Sequence, residues 1–538
     1  MIDESSLSRS LLQIHYHNRP GGVTTVMNGY LRSFHRLIPN GSTAFFGCNG
    51  NPSALPCSPA SVHVPECDYA CYKNVESFEQ TRVDLKNTLT EHILDTKRFP
   101  RPLSIIAHNL NLGRNIALSA AFADTASQLV GEDTRFFLVI HDFVEEGRWE
   151  TLRALGEMVA IGIDAWNHLY PKRGVRYLTI NQRNELILEN AGIPTSLIGN
   201  PPSGADVFPC RRTVAAQSSI LESKESFQKH IHALAQKEGV TLREDASIFL
   251  YPVRVISRKN VIEAVIQACL SGGGNLLLGS PGTAPSDLAV YRQLRDFCIE
   301  KKLPVLFDCG RMGEFLPADR NVFNYLIRHA DACISTSIAE GFGYALFEPW
   351  TLGTPVFGRR PLGFSPVVGT HFDFLYDRFD IPAGWVNIPG LASKYVECMA
   401  NFYLEDDSSC SRSALKSEFC ATFIRNGTID FAVLDIKSQF EVLSRLVEIA
   451  RSGAGSNQLI QSQLEVIQFG IEGGKTIPEH NRTRLNDYFS EERFDREFAS
   501  LLATKATVRT LIRLDHRSIR RYFGVLSRIR LLLSPSGF

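Results

Sequence analysis

The sequence predicts two α/β domains, each built on a doubly wound parallel sheet, followed by a helical C-terminal extension. Three observations carry this expectation. The chain has 538 residues, more than one ordinary domain holds. Short apolar runs recur along it that are continuous rather than alternating, as in parallel strands covered on both faces. Segments of helical spacing separate those runs, in two series divided by a polar region at residues 209–246.

In the first series SLLQIHYH reads as a strand, the glycine pair Gly21 and Gly22 as a turn, and VTTVMNGYLRSFHRLI as a helix. LSIIAHN, RFFLVIHD, VRYLTIN and SLIGNP are the further strands of an N-terminal domain at 1–208. After a linker or insert at 209–246, the second series fills 247–400. Its strands are SIFLYPVRVI, NLLLGSPG, PVLFDCG, DACISTSI and TPVFG, with helices at IEAVIQACL, AVYRQLRDFCIEK and FNYLIRHA between them. A mostly helical continuation follows at 401–504, with amphipathic spacing in GTIDFAVLDIKSQFEVLSRLVEIARSG and a closing helix, SEERFDREFASLLA, expected to cap the second domain.

Composition narrows the function. Lysine plus arginine and aspartate plus glutamate are 57 each, so the chain lacks the basic excess of a general nucleic-acid binder. The N-terminus has no basic region leading into an apolar run, and no stretch reaches the ~18 apolar residues of a membrane span. A cytoplasmic protein is expected. The 12 cysteines form no CxxC pair and fit no zinc spacing, so reduced buried thiols are the expectation and no metal site is predicted. The tail at 505–538 holds eight lysines and arginines against one acidic residue, Asp515. In it Ile512, Ile519, Tyr522, Leu526 and Ile529 fall on one helical face, and Arg513, Arg517, Arg520 and Arg528 on another. Such a helix either touches an anionic membrane peripherally or packs on the N-terminal domain, and Gly524 within it tilts the balance toward packing.

The segment Glu340 to Pro355, EGFGYALFEPWTLGTP, is the most informative for chemistry. Glu340 directly follows an apolar strand, which puts it at the carboxyl edge of an open α/β sheet, where ligands bind. Gly341 and Gly343 permit a tight turn into a helix whose N-terminus suits a diphosphate, with Glu348 about a turn further on. Two glutamates at this spacing also occur on ordinary solvated helices. The surrounding order of strand, E-G-F-G, helix, second glutamate and G-T-P strand is what lifts the pair above that background.

This segment resembles the E-x7-E region of retaining glycosyltransferases, above all glycosyltransferase family 4. Arg254 stands five residues before Lys259 in YPVRVISRKN, similar to that family's R-x4-K-N element. IHYHNRPGGV resembles its N-terminal glycine loop at Gly21 and Gly22, and LVIHDF sets His141 at a strand end like its active-site histidine. YLTINQRNELILENAGIPTSLIGNPPSGADVF resembles the stretch that closes its first domain. The likeness spans roughly residues 10 to 360.

The resemblance implies a GT-B fold, two Rossmann-like domains facing each other across a cleft, and transfer of a hexosyl group from a UDP- or GDP-sugar. It implies that Arg254 and Lys259 neutralise the departing diphosphate, Glu340 holds hydroxyls of the transferred sugar, and His141 assists the oxocarbenium-like transition state. Glu348 would hold the ribose. Gly21, Gly22, Phe342 and Gly343 would shape the donor site. The chain has no D-x-D triplet, so a metal-independent reaction without cofactor is expected, with cations and a helix dipole acting on the diphosphate. The family implies retention by front-face attack. Two departures stand out. RRPLGFSPVVG replaces the acidic G-x-P-E stretch, and HDFVEEGR is unusually charged. Asp142, Glu145, Glu146 and Arg148 either face a polar acceptor or form a solvated loop, and His108, Asn109 and Asn111 are a second acceptor-side candidate. The acceptor is a sugar, a lipid or a small metabolite. A nucleotide-sugar 2-epimerase of the same fold and a catalytically silent sugar- or nucleotide-binding protein are the alternatives.

Overall fold

In a computed structural model of the chain, the structure describes residues 7–19, 21–48, 60–199, 224–271, 273–282, 285–316, 321–341, 343–362, 364, 370, 375–402, 411–452, 478–504 and 511–533. The chain forms two compact units. One comprises Met1–Phe208 and Phe489–Phe523, the other Pro209–Tyr488 and Gly524–Phe538.

The first unit is built on seven parallel strands: β1 Ser10–His17, β2 Ser42–Cys48, β3 Ala60–His63, β4 Leu103–His108, β5 Thr134–Ile140, β6 Val175–Thr179 and β7 Thr195–Leu197. Their order is β3-β2-β1-β4-β5-β6-β7, so the winding reverses between β1 and β4. Every residue of β4 and β5 is buried, which is why their sequences are continuously apolar. β2 and β3 were not anticipated from the sequence.

The second unit repeats the plan with β8 Ile248–Tyr251, β9 Asn275–Leu278, β10 Val305–Leu306, β11 Ala332–Ser335, β12 Val356–Arg359 and β13 Leu375–Tyr376, in the order β10-β9-β8-β11-β12-β13. Here the reversal lies between β8 and β11. The strands approach so closely that a Cβ on Gly358 in β12 would sit 2.1 Å from the Ser335 carbonyl oxygen, and the φ of 134° there also suits glycine. A small antiparallel sheet, Asp380–Pro382, Thr428–Asp430 and Ile424–Arg425, is appended. Together the two wound sheets give the GT-B class of α/β architecture that the sequence led us to expect. Within the stretch read as a linker, helix Lys224–Lys237 buries Phe227, Ile231 and Leu234 in the second unit.

Two expectations for the C-terminal region are corrected. Helix Glu491–Ala503, capped by Ser490 and opened by Glu491 and Glu492, belongs to the first unit and not the second. Its apolar face meets helix Gly22–Leu37, where the Tyr30 ring lies 5.2 Å from Phe494 and 5.0 Å from Phe498. Asp495 adds a bidentate pair to Arg36, with both contacts at 2.7 Å. The basic tail is likewise not one amphipathic helix. The helix spans only His516–Phe523 and ends before Gly524. Ile519 and Phe523 are buried, as are Leu526, Ile529, Leu531 and Leu532 beyond the break. The apolar residues assigned to one face therefore divide between the two units, and the part before Gly524 packs on the N-terminal domain as the packing alternative held. Among the described residues, no helix is long and apolar enough to cross a membrane.

Candidate active site

In the second unit, the loops leaving β8 and its parallel neighbour β11 emerge side by side where the winding reverses, the position at which open α/β sheets take ligands. The β8 loop carries Arg254 and then a 3-10 turn, Ser257–Lys259, that ends at Asn260 in the left-handed region with φ 50°. The β11 loop carries Glu340. Lys259 Nζ lies 2.5 Å from Glu340 Oε1, and each side chain is only 11% exposed. Burial alone would raise the Glu340 carboxyl, but the Lys259 ammonium and then the Arg258 guanidinium outweigh it and hold the carboxyl below its ordinary range.

The backbone under Lys259 is clamped. Tyr251 Oη donates to the Lys259 carbonyl at 3.0 Å, and Thr336 Oγ1 reaches the carbonyls of Lys259 and Asn260 at 3.1 and 2.9 Å. Asn260 keeps its strained conformation through two side-chain bonds. Its Nδ2 donates to Glu263 at 2.7 Å, and its Oδ1 accepts from Gln439 at 2.8 Å. Glu263 in turn faces Arg359, which also binds Asp430 through Nη2 at 2.7 Å and Nη1 at 3.0 Å. This buried network was not visible in the sequence, although RRPLGFSP was flagged as a departure. Its first arginine turns inward and is 3% exposed. Burial would raise the Asp430 carboxyl, but Arg359 keeps it below its ordinary value.

The other donor-side residues fall as follows. Arg254 is exposed and has no ion-pair partner among the described residues. Gly343, at φ 94°, caps helix Tyr344–Thr351, whose first turn has no acidic residue and no side-chain cap. Its N-terminal N–H groups can therefore meet an anion. Glu348 lies in this helix and is half-buried. Phe342 lies outside the described residues. Arg258, adjacent to Lys259 and beside Glu340, was overlooked, since the R-x4-K spacing selects only its neighbours.

In the first unit the corresponding reversal lies between β1 and β4. Gly21 precedes helix Gly22–Leu37, and a Cβ added at Gly22 would meet nothing within 4 Å, so the backbone is open there. His141 follows β5 and is 6% exposed. Asn109 Oδ1 accepts its N–H at 2.8 Å and Asn184 Nδ2 donates to its carbonyl at 3.2 Å. Its Nε2 is 3.2 Å from His108 Nδ1, and His108 Nε2 is 2.9 Å from Gln13 Oε1. Burial lowers the His141 imidazole to about 4 against a small opposing effect of Asp142, and lowers His108 well below its ordinary value.

The charged loop after His141 is paired internally. Asp142 binds Arg148 at 2.8 Å, Glu146 binds Arg183 at 2.6 and 3.0 Å, and the buried Glu145 accepts from Tyr170 and from His516 Nε2 at 2.7 Å. Asn109 and Asn111 bind the same loop, the latter through the Asp142 carbonyl at 2.7 Å. These residues shape the loop. Further basic side chains at this sheet edge, half-buried, lie elsewhere. Arg114 stands over the Tyr69 ring at 5.4 Å, His17 edges the same ring at 5.1 Å, and Arg19 pairs with Asp68. Among the described residues no group of three or more histidines, cysteines or acids is placed to hold a metal ion.

No protein-family model matches the chain. It is 23% identical over 437 residues to the mannosylglucosyl-3-phosphoglycerate synthase of Petrotoga mobilis, covering 80% of each chain. Among solved structures it resembles the sucrose-phosphate synthase of Thermosynechococcus elongatus, with a TM-score of 0.48 and 14% identity over 91% of this chain and 98% of the other. It also resembles the catalytic domain of starch synthase IV from Arabidopsis thaliana bound to ADP and acarbose, with a TM-score of 0.42 and 11% identity over 89% of this chain and 99% of the other.

Proposed function

We propose, from the premise that the chain is a glycosyltransferase of the two-domain GT-B class, that it is a retaining enzyme moving a hexosyl group from a nucleoside-diphosphate sugar to an anionic acceptor. The observation that carries the donor assignment is the Lys259–Glu340 pair at the winding reversal of the second sheet, with Arg254 and Arg258 in the same loop. In this reading the cations take up charge on the leaving diphosphate without a metal ion, Glu340 accepts hydroxyl hydrogens from the sugar, and the amide groups after Gly343 face a phosphate. Glu348 accepts from the ribose, and His141 contacts the transferred sugar. The bond between the anomeric carbon and the diphosphate oxygen breaks. The acceptor hydroxyl then bonds to that carbon on the same face, and its proton passes to the departing diphosphate.

Two observations support an anionic acceptor. The relative's product carries a phosphoglycerate group. Arg114 and His17 also flank Tyr69 at the carboxyl edge of the first sheet.

The first test is binding. A thermal-shift screen with UDP, GDP, ADP and their sugars is expected to single out one base. A nucleotide at 100 times its Kd stabilises the fold by about 2.7 kcal/mol. No shift with any of them would sink the donor assignment. The second is transfer from that donor to phosphorylated and to neutral glycosides, with the anomeric configuration of the product read by NMR. An inverted product refutes retention, preference for neutral glycosides refutes the anionic acceptor, and donor turnover without acceptor points to the epimerase.

Glu348→Ala is expected to raise the donor KM by about tenfold with little change in kcat, because a ribose contact is alike in ground and transition states. A fall in kcat at unchanged KM would place Glu348 elsewhere in the mechanism.

A further inference from the structure

The proton on His141 is fixed by a chain of buried hydrogen bonds that begins at a backbone carbonyl. The Met27 carbonyl can only accept, so Gln13 Nε2, 2.9 Å away, donates to it and the orientation of the amide is set. Gln13 Oε1 then faces His108 Nε2 at 2.9 Å and can only accept, so His108 carries its hydrogen on Nε2. A neutral imidazole has one N–H. His108 Nδ1 therefore offers a lone pair, and His141 Nε2, 3.2 Å from it, must be the donor. No hydrogen remains for His141 Nδ1. That nitrogen has no hydrogen-bond partner among the described residues, although the residue is only 6% exposed. Burial keeps the rings of His15, His108 and His141 neutral, and His141 and His15 further disfavour charge on His108.

We propose that Gln13 and His108 are positioning residues that hold His141 as its Nε2–H tautomer, so that Nδ1 forms a subsite which accepts a hydrogen bond from a hydroxyl of the transferred sugar. The assignment of that hydroxyl to a sugar rests on the glycosyltransferase reading; the proton placement does not. The polarity matters for selection. An Nδ1–H tautomer would favour a bare oxygen such as a phosphate or ring oxygen, whereas a lone pair favours a ligand that brings its own O–H. The alternative state, an imidazolium on His108 donating from both nitrogens, would leave His141 Nε2 as the acceptor and move its hydrogen to Nδ1.

The test is long-range proton–nitrogen NMR on the full-length protein labelled at histidine nitrogen, with the His141 signals assigned by His141→Gln. The expected result is one N–H on each of His108 and His141, at Nε2, from about pH 6 to about 8, the range in which an ordinary imidazole titrates. A hydrogen on His141 Nδ1, or a doubly protonated His108, overturns the proposal. Gln13→Met keeps the volume but removes the anchor. It is expected to give a mixture of tautomers on His108 and His141 and to lower donor kcat/KM about tenfold, the scale of one misdirected hydrogen bond. An unchanged tautomer in a folded Gln13→Met removes Gln13 from the relay, and a misfolded variant leaves the wild-type spectrum to decide. Because that spectrum needs no substrate, Nε2–H on His141 in a protein that transfers no sugar would overturn the function and leave the proton placement standing.

Discussion

Lys259→Ala is expected to lower kcat by about 10²–10³, the usual effect of removing one preorganised charge from a developing anion. The sequence alone suggests that this change spares the fold, as for an exposed lysine. The structure corrects that view. Lys259 is buried, and its ammonium is the nearest cation to a Glu340 carboxylate that is largely shielded from water. Removing one partner of a buried pair costs about 3–5 kcal/mol when nothing else compensates. Arg258 remains beside Glu340, so the loss here falls below that range. Steady-state kinetics on the folded fraction, quantified by thermal unfolding, separates the two effects. Lys259→Arg, which keeps the charge but not the compact ammonium, is expected to recover stability more fully than turnover. Wild-type kcat in folded Lys259→Ala would refute the role given to this residue.

Arg359→Met is expected to have the largest effect on stability, a loss of about 3–5 kcal/mol. It leaves the Glu263 and Asp430 carboxylates facing each other's burial without the guanidinium that binds both, at 2.8 and 2.7 Å. The effect reaches the donor loop, because Glu263 holds Asn260 and Asn260 directly follows Lys259. Denaturant unfolding with a probe in the second unit measures the loss, and a cost below about 1 kcal/mol, the range of an exposed pair, would show that the network is not buried as described. The two carboxylates act in opposite senses, since burial raises Glu263 while Arg359 depresses Asp430, and the acid-side part of the pH dependence follows from Asp430. Its contribution is present above the unfolded value near ~3.9 and disappears as pH falls through the folded value. Arg359→Met should lose that acid-side dependence.

Much of the architecture could be read from the residues. The central strands of both sheets are buried on two faces, so their sequences run apolar without alternation and stand out. The strands that escaped, β2, β3 and β13, lie toward sheet edges or are very short. STAFFGC, which forms β2, mixes small and polar residues with its aromatics. The helix at 491–503 was legible as a helix but not in its placement. An amphipathic face specifies that something apolar covers it and says nothing of which domain supplies the cover, here Tyr30 in the first unit. The tail shows the same limit, for helical spacing continues on paper through Gly524 while the helix stops at Phe523.

Local sequence determined the strand–loop–helix segments that carry Arg254, Lys259, Glu340, Gly343, Glu348 and His141, because each depends on a few neighbouring residues: an apolar strand, a glycine with positive φ, a helix start. Only the tertiary structure decided which charges are partners. Lys259 meets Glu340 because β8 and β11 are adjacent parallel strands ending at one edge. Asp142, Glu145 and Glu146, which read as a possible acceptor surface, are taken up by Arg148, by His516 with Tyr170, and by Arg183. Arg359 reads like any surface arginine until Glu263 and Asp430 are brought to it from distant parts of the chain. The physical reason is that strand and helix formation rest on short-range backbone sterics and patterning. The charge state and partner of a side chain are set by desolvation and by contacts that only chain reversal across the sheet can create.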